Sequence, residues 1–429
     1  MERIYRTLMR AGTPALRLLL ATRVKRGKED PARLNERMGV AGHARPDGAL
    51  VWFHAASVGE AQSTLILITA LLDAHPDLNI LVTTGTVTSA ELMKNRLPPR
   101  AIHQFYPLDH PAWVDRFVDY WHPDLVLWME SELWPNMLGA IRARHIPAVL
   151  VNARLSPRSM RRWKRMRSVI TPMLSTFTTI LTQTDEHAAN YRALGATNII
   201  TTDNLKFASL PLPYNATDLH ALKDAIGARP VWLYASTHDG EEGLACTLHH
   251  KLFIDFPELL TIIVPRHPER REVIATTVRA EHLRVCLRGP NKALPGMDDD
   301  IYVADTLGEL GLFYRLAPIS CIGRSFSRDG GGGHNPVEAA QLGSAVLYGP
   351  LVQNQQALYD EMRDYGAAIA LTDTDMFAST LHDLLHNQSR LIEQQNRGQN
   401  FAREKNAVLD RVMAAITPLV PTPKKSDAA

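Results

Sequence analysis

Leu50-Val-Trp-Phe-His-Ala55 is a continuous, largely apolar run that passes through Ala56-Ser-Val-Gly-Glu60 into a helix-length segment, residues 59–73, and then into a second apolar run, Asn79–Thr84. A strand apolar along its whole length has no solvent face, so it belongs inside a parallel sheet covered by helices on both sides. The alternation continues outward, with strands expected at 124–129, 148–152, 178–182 and 198–201 and helices at 111–120 and 133–144. Residues around Pro211 and Pro213 break the pattern. A second series follows at 231–235, 260–264, 284–286, 301–304, 319–322 and 345–348. The predicted fold class is α/β: a basic helical segment over 1–48, a first parallel-sheet domain over 49–202, a linker over 203–220, a second domain with C-terminal helices over 221–420, and a disordered tail over 421–429. Sites in such sheets lie beyond the carboxyl ends of the strands, and the cleft between the domains is where chemistry is expected.

Composition narrows the function classes. A chain of 429 residues exceeds a single domain of about 100–200 residues. With 45% hydrophobic and 21% charged residues it is neither disordered nor collagen-like. The balance of 47 Lys and Arg against 45 Asp and Glu makes any basic partner surface a local one. Cys246, Cys286 and Cys321 contain no CxxC pair, which disfavours a zinc site or a disulfide framework and points to a reducing compartment. The first forty residues hold ten Lys and Arg against four acids. Residues 11–22 are fairly apolar but Arg17 interrupts them, short of the roughly 20 apolar residues of a membrane span, and no clean apolar run ends in a cleavage site. Two readings stay open: an amphipathic basic helix on an anionic membrane surface, and a solvated basic helix packed on the first domain.

Chemistry-bearing residues gather at the strand ends. Glu60 stands at a helix start beyond the first strand, where a carboxylate also serves simply to complement the helix dipole. Trp128-Met-Glu130-Ser-Glu132-Leu-Trp134-Pro-Asn136 closes another apolar strand with two acids, and Lys206 follows 198–201 as a cation. In the second half, Tyr234-Ala-Ser-Thr-His238 offers hydroxyls that capping alone would explain, and Pro265-Arg266-His267 places a guanidinium suited to phosphate at a strand end. Gly330-Gly-Gly-Gly333-His334-Asn335-Pro336-Val337-Glu338 joins a glycine loop to a helix start, where backbone amides and the dipole favour an anion and Glu338 can accept from a ribose diol. It is neither a Walker loop nor a GxGxxG turn. Arg154, Arg158, Arg161, Arg162, Lys164, Arg165 and Arg167 form a basic stretch around Trp163 and Met166, suited to nucleic acid, to an anionic lipid head group, or to solvent alone.

Taken together and in order, His54-Ala-Ala-Ser-Val-Gly-Glu60, Met129-Glu130-Ser-Glu-Leu-Trp-Pro-Asn136, Asn152-Ala-Arg-Leu-Ser156, Asn204-Leu-Lys206-Phe207, Ser236-Thr-His238, Pro265-Arg-His267 and Gly332-Gly-His-Asn-Pro-Val-Glu338 resemble the 3-deoxy-D-manno-oct-2-ulosonic acid (Kdo) transferases of lipopolysaccharide synthesis, across residues 49–350. The resemblance implies a GT-B fold, two Rossmann-like domains facing a cleft, and transfer of Kdo from CMP-Kdo to the lipid A precursor with inversion and without metal or other cofactor. It implies Glu60 as general base, Glu130 and Lys206 as transition-state support, and Pro265, Arg266, Leu307, Gly308, Glu309, Asn335, Pro336, Val337 and Glu338 as the CMP site. It also implies work at the cytoplasmic face of the bacterial inner membrane on an anionic lipid, and no nucleic-acid partner. Ala235, Asp203 and Arg324 stand where the family commonly has glycine. The competing readings are a UDP-sugar-dependent GT-B transferase or epimerase and, outside enzymes, a basic-faced nucleic-acid-binding protein.

Overall fold

The computed structural model describes residues 2–130, 132–207, 211–327, 329–330 and 332–421; residues 422–429, most of the expected tail, lie outside them. The chain divides into two units, Met1–Ala208 with Ala407–Ala429, and Ser209–Asn406. Each holds a seven-stranded, wholly parallel sheet.

In the first unit the strands are β1 (Leu50–Ala55), β2 (Asn79–Thr84), β3 (Ala101–Phe105), β4 (Leu125–Met129), β5 (Ala148–Ala153), β6 (Thr179–Thr182) and β7 (Ile199–Thr201), ordered β3-β2-β1-β4-β5-β6-β7. β1 is central, in parallel register with β2 on one side and β4 on the other, so all six of its residues are buried. Alternate side chains serve opposite faces: Trp52 packs with Phe117, Trp121 and Trp128, whereas Val51 and Phe53 pack with Ile68 and Leu71. Each such side chain contributes about 1.5–3 kcal/mol through burial. β3 and the last strand of the second unit were not expected from the sequence. Both are edges: β3 carries His103 and Gln104, and the other is only three residues long.

The second unit contains β8 (Val231–Thr237), β9 (Leu260–Pro265), β10 (Val285–Leu287), β11 (Ile301–Val303), β12 (Ile319–Ile322), β13 (Ala345–Tyr348) and β14 (Ala368–Ala370), ordered β10-β11-β9-β8-β12-β13-β14.

Two boundaries differ from the sequence expectation. The irregular connection is shorter than 203–220, because Leu205 is fully buried in a 3-10 turn, Leu205–Phe207, and the Asn215 side chain caps a helix that starts at Ala216. The helix Gln388–Ile416 does not remain within the second domain. Its later residues Val408, Val412 and Ile416 join Val51, Phe53 and Leu71 in the core of the first unit. The basic N-terminal segment folds as helices Glu2–Ala11 and Thr13–Lys25 and a 3-10 stretch, Pro31–Met38. Arg37 is buried there in a bidentate pair with Glu29 and also donates to the carbonyls of Tyr106 and Gly85. No helix among the described residues is long and apolar enough to cross a membrane.

Candidate active site

At the carboxyl edge of the first sheet, Ser57 caps the helix Val58–Ala74 and its Oγ accepts from the Glu60 amide at 3.3 Å. The Glu60 carboxylate reaches back, accepting from the Ala56 amide and the Ser57 hydroxyl, both at 2.8 Å. This reciprocal cap fixes the carboxylate. Burial raises its pKa above the ordinary carboxylate value against the pull of those two donors, and the charges of Glu130 and Glu132 push the same way.

Glu130 lies at the end of β4, the strand next to β1. Its side chain is buried and ion-paired twice, to Lys206 Nζ at 2.6 Å and to Arg154 Nε at 2.8 Å. Asn152 orders the Lys206 turn: its Oδ1 accepts from the Leu205 amide at 3.0 Å. Lys206 Nζ lies 3.7 Å from where a Cβ on Gly59 would stand, an ordinary contact distance that sets the lysine beside the first turn that carries Glu60. Glu60, Glu130 and Lys206, expected from the sequence, are therefore one cluster, and Arg154 is its fourth member.

The backbone at these strand ends is strained. Glu130, Asn152 and Asp203 have φ of 57°, 57° and 70°, and in the second unit Ser236 and Arg324 have φ of 59° each. Left-handed backbone costs a non-glycine residue about 1–2 kcal/mol, and such strain concentrates where a fold over-determines a working geometry. Asp203 and Arg324 are two of the three positions where the resemblance expects glycine. Ala235, the third, escapes because Ser236 makes the turn.

In the second unit β8 and β9 end side by side, and the Arg266 amide donates to the Thr237 carbonyl at 3.0 Å. The Arg266 side chain is exposed, with no carboxylate partner among the described residues. Beside it, His238 Nδ1 meets Asp329 at 2.7 Å and its Nε2 lies 3.0 Å from His334 Nε2. With Asp329 ionised, His238 donates to it through Nδ1, which leaves its Nε2 to accept from His334. Burial lowers both histidines, His334 to about 4 with help from His238 and Arg266, so both are neutral near pH 7. Behind them Glu241 is fully enclosed. It accepts from the amides of His238, Arg324 and Phe326 at 2.9, 2.7 and 2.9 Å, tying the turn after β8 to the loop after β12.

Three expectations for this unit change. The helix behind the glycine loop is only Val337–Gln341, and Asn335 Oδ1 already takes the Val337 amide, so little dipole remains for an anion. Gly332 and Gly333 serve packing: a Cβ would come within 2.4 Å of Gln353 and 2.9 Å of Tyr359. Glu309 does not project freely, because the buried Arg288 holds it in a bidentate pair at 2.7 and 2.9 Å and lowers its pKa. Of its neighbours, Leu307 is exposed and Gly308 has φ of 81°. Pro265, Pro336 and Val337 are buried and shape backbone, while Asn335 donates to Glu338 at 3.3 Å. Ser236 and Thr237 cap nothing: the helix Glu241–Phe253 starts after Gly240. Among the described residues no three His, Cys, Asp or Glu side chains gather at metal-binding spacing.

A family model described as 3-deoxy-D-manno-octulosonic-acid transferase (kdotransferase) matches residues 32–209. A 3-deoxy-D-manno-octulosonic acid transferase of Rickettsia bellii is 32% identical over 423 residues, covering 98% of this chain and 100% of that protein. The chain belongs to the Kdo transferase family. The corresponding enzyme of Haemophilus influenzae is 31% identical over 90% of this chain and 91% of its own. UDP-GlcNAc 2-epimerase from Neisseria meningitidis, solved with UDP-GlcNAc, shares the fold at TM-score 0.50 and 14% identity, over 86% of this chain and 99% of its own. The protein is thus a glycosyltransferase with two Rossmann-like parallel sheets of the GT-B class.

Within this Kdo transferase, sequence reasoning placed Arg154 in a basic surface rather than beside Glu130. The partner is 24 residues away and on another strand, so no local pattern joins them. It gave Glu241 no role. The signal was its place in the first turn of a helix, and its acceptance of amides from residues 324 and 326 is visible only in the fold.

Proposed function

We propose that this Kdo transferase moves Kdo from CMP-Kdo to a lipid A precursor with inversion, at the cytoplasmic face of the bacterial inner membrane. The observation that carries the reading is the Glu60, Glu130, Lys206 and Arg154 cluster: one buried carboxylate with no cation partner among the described residues, beside a second held by two. Only the first is suited to take a proton. In the transfer, the acceptor hydroxyl oxygen attacks the anomeric carbon and its proton passes to Glu60. The bond from that carbon to the phosphate oxygen breaks, and CMP leaves with the electron pair. Glu130 neutralises Lys206 and Arg154 at rest and holds both cations in place beside the developing charge.

On the donor side, Arg266 is a guanidinium at a strand end with no carboxylate partner among the described residues, and it meets the leaving phosphate. Pro265, Leu307, Gly308, Asn335, Pro336 and Val337 shape the backbone around the nucleotide, Glu309 braces its segment through Arg288, and Glu338 accepts from the ribose. With Arg266 in that role, transfer is expected to survive EDTA; a loss that Mg²⁺ restores would contradict it. The basic helix Pro157–Arg165 and the N-terminal helices attach the enzyme peripherally to anionic lipid. Mass spectrometry of the product formed from CMP-Kdo and the lipid A precursor tests the reading: a mass gain of one or more Kdo units is expected, and no gain, or gain only with UDP-sugars, refutes it.

A further inference from the structure

The first unit carries an apolar groove that the transfer step leaves unused. Ile4 and Leu8 of the helix Glu2–Ala11 form one wall, and Trp134, Trp163 and Met166 the other, around about 570 Å³. That lies inside the roughly 300–1,000 Å³ typical of small-molecule sites. Ile4 and Leu8 are 60% and 64% exposed and Met166 40%. Large apolar side chains grouped in this way and left in water mark a surface that something apolar covers.

Two observations say what covers it. The rim is cationic where Arg162 lines the groove with its guanidinium 5.0 Å over the Trp163 ring, and the helix that carries it exposes Arg158, Arg161, Lys164 and Arg165 as well, without a carboxylate partner among the described residues. The groove also approaches the carboxylate cluster, because Glu132 lines it and stands two residues from Glu130, near enough for its charge to act on Glu60. An apolar trough with a cationic rim, within reach of the base through Glu132, fits an anionic amphiphile whose sugar hydroxyl must reach that base.

We propose that the groove holds one acyl chain of the glycolipid acceptor during transfer, with the rim cations on its phosphate. A bilayer lipid would satisfy the apolar wall and the cations but has no reason to approach Glu60. The inference rests on the acceptor being an acylated anionic glycolipid, as proposed above.

The test compares the full chain with Leu8→Asp and, separately, Ile4→Asp. The acceptors, in detergent, are the acylated bisphosphorylated disaccharide and its fully deacylated counterpart. The acylated-to-deacylated ratio of kcat/KM is expected to fall at least tenfold in both variants and to hold in Leu8→Ile. An unchanged ratio in both aspartate variants overturns the proposal. So does an unchanged ratio accompanied by lost binding to phosphatidylglycerol vesicles, which would assign the groove to the bilayer. If the wild type turns over neither acceptor, the acceptor reading fails rather than the groove. Quenching of tryptophan fluorescence by a brominated fatty acid then decides: stronger quenching in the wild type than in Leu8→Asp supports an acyl site, and equal quenching refutes it.

Discussion

At the residue scale the proposed general base is Glu60, and its hydrogen bonds make a pH prediction. Burial raises its pKa, and the amide of Ala56 and hydroxyl of Ser57 hold it partly down. Protonated Glu60 cannot take the acceptor proton, so activity rises with pH through this raised value, and the acid limb of kcat/KM sits above the ordinary carboxylate pKa of about 4.3. Ser57→Ala removes a donor to the ionised form and is expected to move that limb further up, with a cost of about 1 kcal/mol for the lost cap. An acid limb that stays in place in Ser57→Ala would count against Glu60 as the titrating base. Arg266 gives a second prediction. Losing a charge-assisted contact worth about 1.5–3 kcal/mol, Arg266→Ala should raise the CMP-Kdo KM by on the order of ten- to a hundredfold and spare the acceptor KM; unchanged donor kinetics would refute the role.

At the element scale the strands show how much was legible. Central strands such as β1 and β4 are buried on both faces, so composition alone exposes them. β3 and β14 pair on one side only, tolerate His103 and Gln104 or shrink to three residues, and lose the signal. The site followed the same rule. The place of Glu60 at a helix start was readable because its cap is local, whereas the pairing of Arg154 with Glu130 depends on β5 lying beside β4. The helix Pro157–Arg165 turns Met160 and Trp163 inward and its cations outward. Each cation near an anionic surface contributes about 1 kcal/mol. Neutralising Arg161, Arg162 and Arg165 together should therefore weaken use of the lipid acceptor by up to about a hundredfold, as read from acceptor KM, and change CMP affinity far less. Equal losses in both would point to misfolding of the first unit.

At the scale of the whole molecule, the chain's end completes its beginning. Ile416 is fully buried against residues of β1 and the helix that carries Glu60. Ile416→Ala is expected to cost about 2–5 kcal/mol by calorimetry, and a chain ending at Asn406 should lose folded first unit although every proposed catalytic residue remains. Undiminished thermal stability of either would contradict this packing. The sequence placed that helix in the second domain because its amphipathic pattern states which face is buried and not against what.

The central claim is that a capped, buried Glu60 takes the acceptor proton in a Kdo transfer, and one measurement bears on it most directly. Wild type and Glu60→Gln are each mixed with CMP-Kdo and the lipid A precursor in a single turnover followed by mass spectrometry, with CMP affinity of both measured by calorimetry. The account predicts that Glu60→Gln binds CMP as the wild type does and forms no product at least a thousandfold beyond the wild-type time, on the order of a lost general base. Near-normal turnover in Glu60→Gln would contradict it.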